Sequence, residues 1–156
     1  MGLLSGLLKK FRPLQVDDSF FGRITYMKVH TANASYWEAK RSFAPTGREI
    51  ELFIDAPAPE QPPNTLQRQF FENVESRFIE IAAAAEYVLR PLFEKWTHQP
   101  LSNPFDVEFT LTSFSIPCVA FDNADWEMSF ESKTDENHLF SVAFSGMNAT
   151  KVSVDG

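Results

Sequence analysis

The stretch from Asn64 to Trp96 constrains this chain more than any other. Leu66, Phe70, Val74, Phe78, Ile81, Ala82, Ala85, Leu89, Leu92 and Trp96 recur every three or four residues. That period lays one apolar stripe along a helix. Arg68, Glu72, Glu75, Glu86 and Arg90 fall off the stripe. Asn64 is placed to cap the first turn, because its side-chain oxygen can accept from an orphan backbone amide. Gln67 stands three residues on, where a capping-box partner belongs. Pro91 removes a hydrogen bond to the Tyr87 carbonyl, which predicts a kink or break near Leu89–Arg90. An unbroken helix would run about 50 Å at about 1.5 Å per residue, longer than a small domain is wide.

Strand patterns lie on both sides of this helix. Ser19–His30 is rich in β-favouring residues, with a bulge expected near Met27 where the alternation slips. Ser35–Phe43 sets Trp37, Ala39 and Phe43 against Glu38 and Lys40. Arg48–Asp55 turns Ile50, Leu52 and Ile54 inward and Glu49 and Glu51 outward. Short turns join these strands, which predicts an antiparallel meander. Ala56–Pro63 holds four prolines in eight residues and reads as a stiff crossing loop. Beyond the helix, Phe105, Val107, Phe109 and Leu111 alternate with Asp106, Glu108, Thr110 and Thr112. Trp126, Met128 and Phe130 alternate with Glu127, Ser129 and Glu131. His138–Phe144 and Thr150–Val154 complete the set.

The expected fold is therefore α+β. Two antiparallel β-meanders, residues 19–55 and 105–154, flank one long central helix, residues 64–97, packed on the sheet. Residues 19–156 form one domain, preceded by a short N-terminal amphipathic helix within residues 1–13. The pattern leaves open whether the meanders share a sheet. With 156 residues, 44% of them hydrophobic and 16 of them Phe, the chain can bury a sizeable core.

In the N-terminal segment Leu3, Leu4, Leu7, Leu8 and Phe11 share a face beside Lys9, Lys10 and Arg12, and Pro13 ends it. Its lysines follow the apolar residues, the wrong order for a secretory signal. The apolar face is expected to pack on the domain or on a second copy, giving a homo-oligomer through Leu3, Leu7 and Phe11; a membrane-surface anchor is the alternative. No apolar run approaches the roughly 20 residues that span a bilayer. The one cysteine, Cys118, allows no intrachain disulfide and fits a reducing cytoplasm.

Charge is unevenly spread. Residues 1–104 carry 12 acidic and 12 basic side chains, whereas residues 105–156 carry 9 acidic and 2 basic, so the whole net charge of −7 lies in the last third. Such a surface repels phosphate backbones and favours a basic partner. On strict alternation, Asp106, Glu108, Asp125, Glu127 and Glu131 turn away from the core and gather on one exposed face. These five are the candidate partner-binding residues.

Catalytic and cofactor motifs are not apparent. His30, His98 and His138 have no metal-site spacing, the six glycines form no phosphate loop, and no serine sits in a nucleophile elbow. Cys118 follows Pro117 in an apolar run and reads as a small buried hydrophobe. No cofactor, metal ligand or catalytic residue is assigned. The paired acids, Asp125 with Glu127 and Asp106 with Glu108, are of a kind that does acid–base work or binds calcium, but they read as solvent-facing, and nothing in the pattern points to the burial that would shift one pKa.

Phe21-Gly22, Tyr36-Trp37, Gly47-Arg48-Glu49-Ile50-Glu51, Trp126-Glu127-Met128-Ser129-Phe130, His138-Leu139-Phe140 and the ending Val152-Ser153-Val154-Asp155-Gly156 resemble small bacterial families of uncharacterised α+β proteins. Some of these are grouped with immunity proteins of polymorphic toxin systems. The resemblance spans residues 19–156 and implies a strands–helix–strands fold, a cytosolic location and a binding role. It transfers no catalytic residue. The expected function is a non-catalytic protein-binding module, of immunity type, that meets a basic toxin domain through an acidic C-terminal sheet face. The alternatives are a hydrolase or divalent-metal enzyme using exposed carboxylates, and a structural or homo-oligomeric protein.

Overall fold

The computed structural model describes residues 12–31 and 34–156. The expected N-terminal helix, with Leu3, Leu7 and Phe11, lies outside the described residues.

Strands β1 (Gln15–Asp18), β2 (Gly22–Met27), β3 (Tyr36–Phe43) and β4 (Arg48–Asp55) come first. Helices α1 (Thr65–Ser76) and α2 (Phe78–Thr97) follow, then a single helical turn, α3 (Phe105–Glu108). The chain ends with β5 (Phe109–Ile116), β6 (Asp125–Ser132), β7 (Leu139–Ser145) and β8 (Asn148–Asp155). All eight strands form one sheet in chain order. Every neighbouring pair is antiparallel except β4 and β5, which run parallel with Leu52 beside Phe114 and Ile54 beside Ile116.

That parallel seam overturns the expected arrangement of two meanders flanking a helix. The molecule is dominated by one eight-stranded, antiparallel-rich sheet, and the helical segment is a crossover lying against it. Two separate meanders would each leave a pair of open edges; joining them at β4 and β5 removes two of the four. Nothing local in either strand announces the seam, because β4 alternates as any half-covered strand does. The sheet also starts at Gln15, ahead of the expected 19: β1 precedes the predicted pattern, whose first residues, 19–21, form the turn into β2. The Asp18 carboxylate closes that turn by accepting from the amides of Phe20 and Phe21, each at 2.8 Å.

The single long helix is also corrected. It breaks at Arg77, whose φ of −108° and ψ of 16° leave the helical region, and not near Pro91, which lies inside α2. Pro91 is solvent-facing, so the carbonyl it orphans faces water. The break replaces one long rod by helices of 12 and 20 residues, about 18 and 30 Å at about 1.5 Å per residue. The expected cap is present: Asn64 Oδ1 accepts from the Gln67 amide and Gln67 Oε1 from the Asn64 amide, each at 3.1 Å.

The break also shifts the buried stripe. Helix α1 buries Gln67, Phe70, Phe71 and Val74, and α2 buries Ile81, Ala85, Leu89 and Phe93. Leu66 and Trp96, expected on the stripe, are 44% and 46% exposed. The core beneath is built of rings. Phe71 meets Phe20, Phe43 and Phe114 at centroid distances of 5.7, 6.0 and 5.8 Å. Phe70 meets Trp126 at 5.4 Å, and Phe93 meets Phe109 at 5.4 Å. Edge-to-face pairs, and the stacked pair Phe71–Phe114, add to the area they bury.

Candidate functional site

The helices cover one face of the sheet, which sends Ile24, Trp37, Leu52, Phe114, Met128 and Val142 into the core. The side chains that alternate with these form the opposite face, and no described element covers it. Strand register orders that face into rows. One row runs Thr25, Glu38, Phe53, Ser115. It continues through Glu127, whose amide donates to Ser115 Oγ at 2.9 Å, to Ala143 and Lys151. The next row runs Lys40, Glu51, Ser113, Ser129, Ser141, Ser153. A third holds Thr110, Glu131, Leu139 and Asp155.

These rows give the face two textures. The half built on β5–β8 has a row of small serines of which Ser113, Ser129 and Ser141 are buried, with Ser129 and Ser141 joined by a 2.9 Å hydrogen bond between hydroxyls. Glu127 borders that row on one side, and Glu131 and Asp155 on the other. The half built on β2–β4 carries an open depression of about 320 Å³ lined by Arg23, Thr25, Glu38, Lys40, Glu51 and Phe53. Its charges are partly matched: Lys40 Nζ lies 3.6 Å from Glu51, and Arg23 pairs with Asp17 at 3.0 Å. Both pairs are well exposed, so they orient side chains more than they stabilise.

The candidate acidic residues divide. Asp125, Glu127 and Glu131 stand on β6, exposed and on this open face. Asp106 is exposed on α3, off the sheet, at a recess of about 260 Å³ walled by Phe78, Phe105, Phe109 and Phe130 with Arg48 at its rim. Glu108 is not on the surface at all. It is 2% exposed, while Val107, expected inward, is 49% exposed. The helical turn after Pro104 replaces the expected start of a strand, and a period of two no longer assigns faces there. Glu108 accepts from Ser132 Oγ at 2.7 Å, the Thr134 amide at 2.9 Å and Asn103 Nδ2 at 3.2 Å. Burial pushes its carboxyl up, but these hydrogen bonds outweigh burial and hold it below the usual range. It is a structural anchor.

The N-terminal half of the face, with Glu38, Glu49 and Glu51, completes the acidic surface, and the last-third charge balance gave no hint of it. Its signal was the outward alternation of β3 and β4; what was missing was the seam that sets them beside β5.

Two other polar clusters are present. His138 Nδ1 lies 2.8 Å from Asp135 Oδ1, and the Trp96 indole donates to Asp135 Oδ2 at 2.9 Å. The His138 bond holds the Asp135 carboxyl below its ordinary range against the cost of burial, and the Trp96 and Asn137 donors add to it. Cys118 is half-buried beside a pocket shared with Ser35, Asp55 and Pro57. Burial, with the Asp55 carboxylate, pushes its thiol up, which keeps it protonated near neutrality. Among the described residues no three His, Cys, Asp or Glu side chains are grouped to hold a metal ion. No helix of the described residues is long and apolar enough to cross a membrane.

No protein-family model matches the chain, and no curated protein or solved structure matches it significantly.

Proposed function

We propose that this protein is a non-catalytic binding module that receives a basic protein partner on the uncovered face of its sheet. One observation carries the reading: no described element covers a broad face of the sheet, and carboxylates dominate its exposed side chains. Glu38, Glu49, Glu51, Asp125, Glu127, Glu131 and Asp155 stand there against Arg23, Lys40 and Lys151. A predominantly acidic surface of this kind speeds encounter with a basic surface and disfavours acidic partners. Ser113, Ser129 and Ser141 between the acids are buried, so the exposed acids around them, rather than the serines, would make the contact. The resemblance to immunity-type families supplies the finer proposal, that the partner is a basic toxin domain held in the cytoplasm.

The test is affinity capture from the native host with two baits, the wild type and a Glu127→Lys, Glu131→Lys variant. Both positions are exposed, so the fold should survive, as thermal melts will check. The expected result is a basic protein held by the wild type, released by salt and lost by the variant. Equal capture by both folded baits overturns the acidic face as the binding surface.

A further inference from the structure

We infer that the outer edge of β8 is a site of self-association, where two copies of this chain pair β8 to β8, antiparallel, about Ser153. The site shares Lys151, Ser153 and Asp155 with the margin of the open face proposed above, but it uses the backbone edge of the strand, and the inference does not depend on that reading.

The two edges of the sheet differ. At one edge β1 has four residues, and both its acids are tied, Asp17 to Arg23 at 3.0 Å and Asp18 to Arg68 at 3.2 Å. Short, charge-blocked strands of that kind are how proteins protect an edge. At the other edge β8 has eight residues and no proline, and among the described residues only β7 pairs with it. Its backbone donors and acceptors on the outer side are therefore a template for another strand.

The register follows from an irregularity. Pairing with β7 shifts between Ala143–Lys151 and Phe144–Ala149, so Thr150 is the extra residue of a bulge. The regular run is Lys151–Asp155, each residue opposed by one on β7. Its midpoint is Ser153. Antiparallel pairing of that run with a second copy, in full overlap, sets each Lys151 opposite the partner's Asp155 and each Val152 opposite the partner's Val154. Ser153 meets its own copy on the twofold axis, a small residue where the two chains come closest. The contact is isologous and closed, as most homodimer contacts are.

The charges support this register from a second direction. Lys151 and Asp155 are both exposed, and neither has a charged residue opposite it on β7, where Ala143 and Leu139 stand. Neither forms an ion pair among the described residues. Opposite charges directly across an antiparallel pair stabilise it, and like charges there destabilise it. The proposed pairing satisfies both residues twice, once in each half. On the other face Val152 and Val154, half-buried against the core, extend the apolar layer across the axis.

The experiment is a charge swap read by sedimentation equilibrium over a wide concentration range, with thermal melts confirming the fold of each variant. The wild type is expected to dimerise. Lys151→Asp alone sets Asp against Asp, and Asp155→Lys alone sets Lys against Lys; each should weaken the dimer about tenfold or more. The double variant Lys151→Asp, Asp155→Lys restores opposite charges and should recover the dimer. A wild type that stays monomeric overturns the inference. So does a dimer equally strong in all four proteins, or a double variant no better than the singles. Stronger association on Lys151→Ala also overturns it, because Lys151 would then be guarding the edge.

Discussion

Ser132 Oγ donates a 2.7 Å hydrogen bond to Glu108 Oε1, in the interior, where strand alternation had placed Glu108 in solvent. The bond ties the turn after β6 to the helical turn before β5, and the Lys133 amide donates to the Glu108 carbonyl at 2.8 Å beside it. Glu108→Ala leaves three donors without this acceptor and is expected to cost about 2–3 kcal/mol. The effect depends on pH. The folded carboxyl sits below its ordinary 4.5, so the unfolded chain takes up the proton first as pH falls. The stabilisation is complete above the ordinary value and is lost as pH falls through the folded one. Urea titrations should therefore show a wide gap between wild type and Glu108→Ala at neutral pH, narrowing in acid. A constant gap would mean that the carboxylate charge is not what holds the turn.

Much of the fold was legible because burial in this chain follows simple periods. Trp37, Leu52, Trp126 and Phe140 are all core residues on strands that alternate. Asn64 and Gln67 marked the start of α1 correctly. Two things were not legible. The parallel seam is a long-range pairing across the whole helical segment, and β4 and β5 carry no local mark of it. The break at Arg77 involves no proline or glycine, so the nearest visible breaker, Pro91, drew the prediction instead. Of the proposed site, Asp125, Glu127 and Glu131 were legible from alternation. Glu108 was not, since one helical turn reverses which residue faces inward.

Gln67 joins the two halves of the sheet through its side chain. It is fully buried, and Nε2 donates to the Asp55 carbonyl at 2.7 Å, with the Ile116 carbonyl at 3.4 Å. Those carbonyls belong to the ends of β4 and β5, on either side of the parallel seam. Gln67→Glu keeps the shape but turns an oxygen toward a carbonyl oxygen, at a cost of about 3 kcal/mol near neutrality. Protonation of the new carboxyl restores a donor, so this variant should gain stability relative to wild type as the solution is acidified. A variant as stable as wild type at neutral pH would show that the amide does not bridge the seam.

Phe71 and Phe78 separate the observed buried face from the expected one. The periodic stripe includes Phe78 and omits Phe71. In the fold Phe71 is 1% exposed amid Phe20, Phe21, Phe43 and Phe114, whereas Phe78 is half-buried with Phe43 at 5.0 Å. Phe71→Ala should cost about 3–5 kcal/mol through the cavity it leaves. Phe78→Ala should cost about half as much, since less of its surface leaves water on folding. The reverse order in urea titration would return the helices to the unbroken stripe.

Gly146 and Gly47 have the same kind of backbone and different surroundings. Their φ angles are +55° and +65°, a region that costs an L side chain about 1–2 kcal/mol. A methyl group at Gly47 meets nothing within 4 Å, but one at Gly146 would stand 2.7 Å from the Asp122 carbonyl oxygen. That contact cannot relax cheaply, because Gly146 is held on both sides. Its amide donates to the Ala124 carbonyl at 2.8 Å, and its carbonyl accepts from the Trp126 indole at 2.8 Å. Gly47→Ala should therefore cost about 1–2 kcal/mol, and Gly146→Ala about 3 kcal/mol or more once overpacking is added. At about 3 °C per kcal/mol for a chain of this size, the two melting temperatures should separate by several degrees. Tryptophan emission should shift in Gly146→Ala alone as the Trp126 bond loosens. Equal melting shifts, with emission unchanged in both, would mean that the turn between β7 and β8 does not rest on the Asp122 backbone.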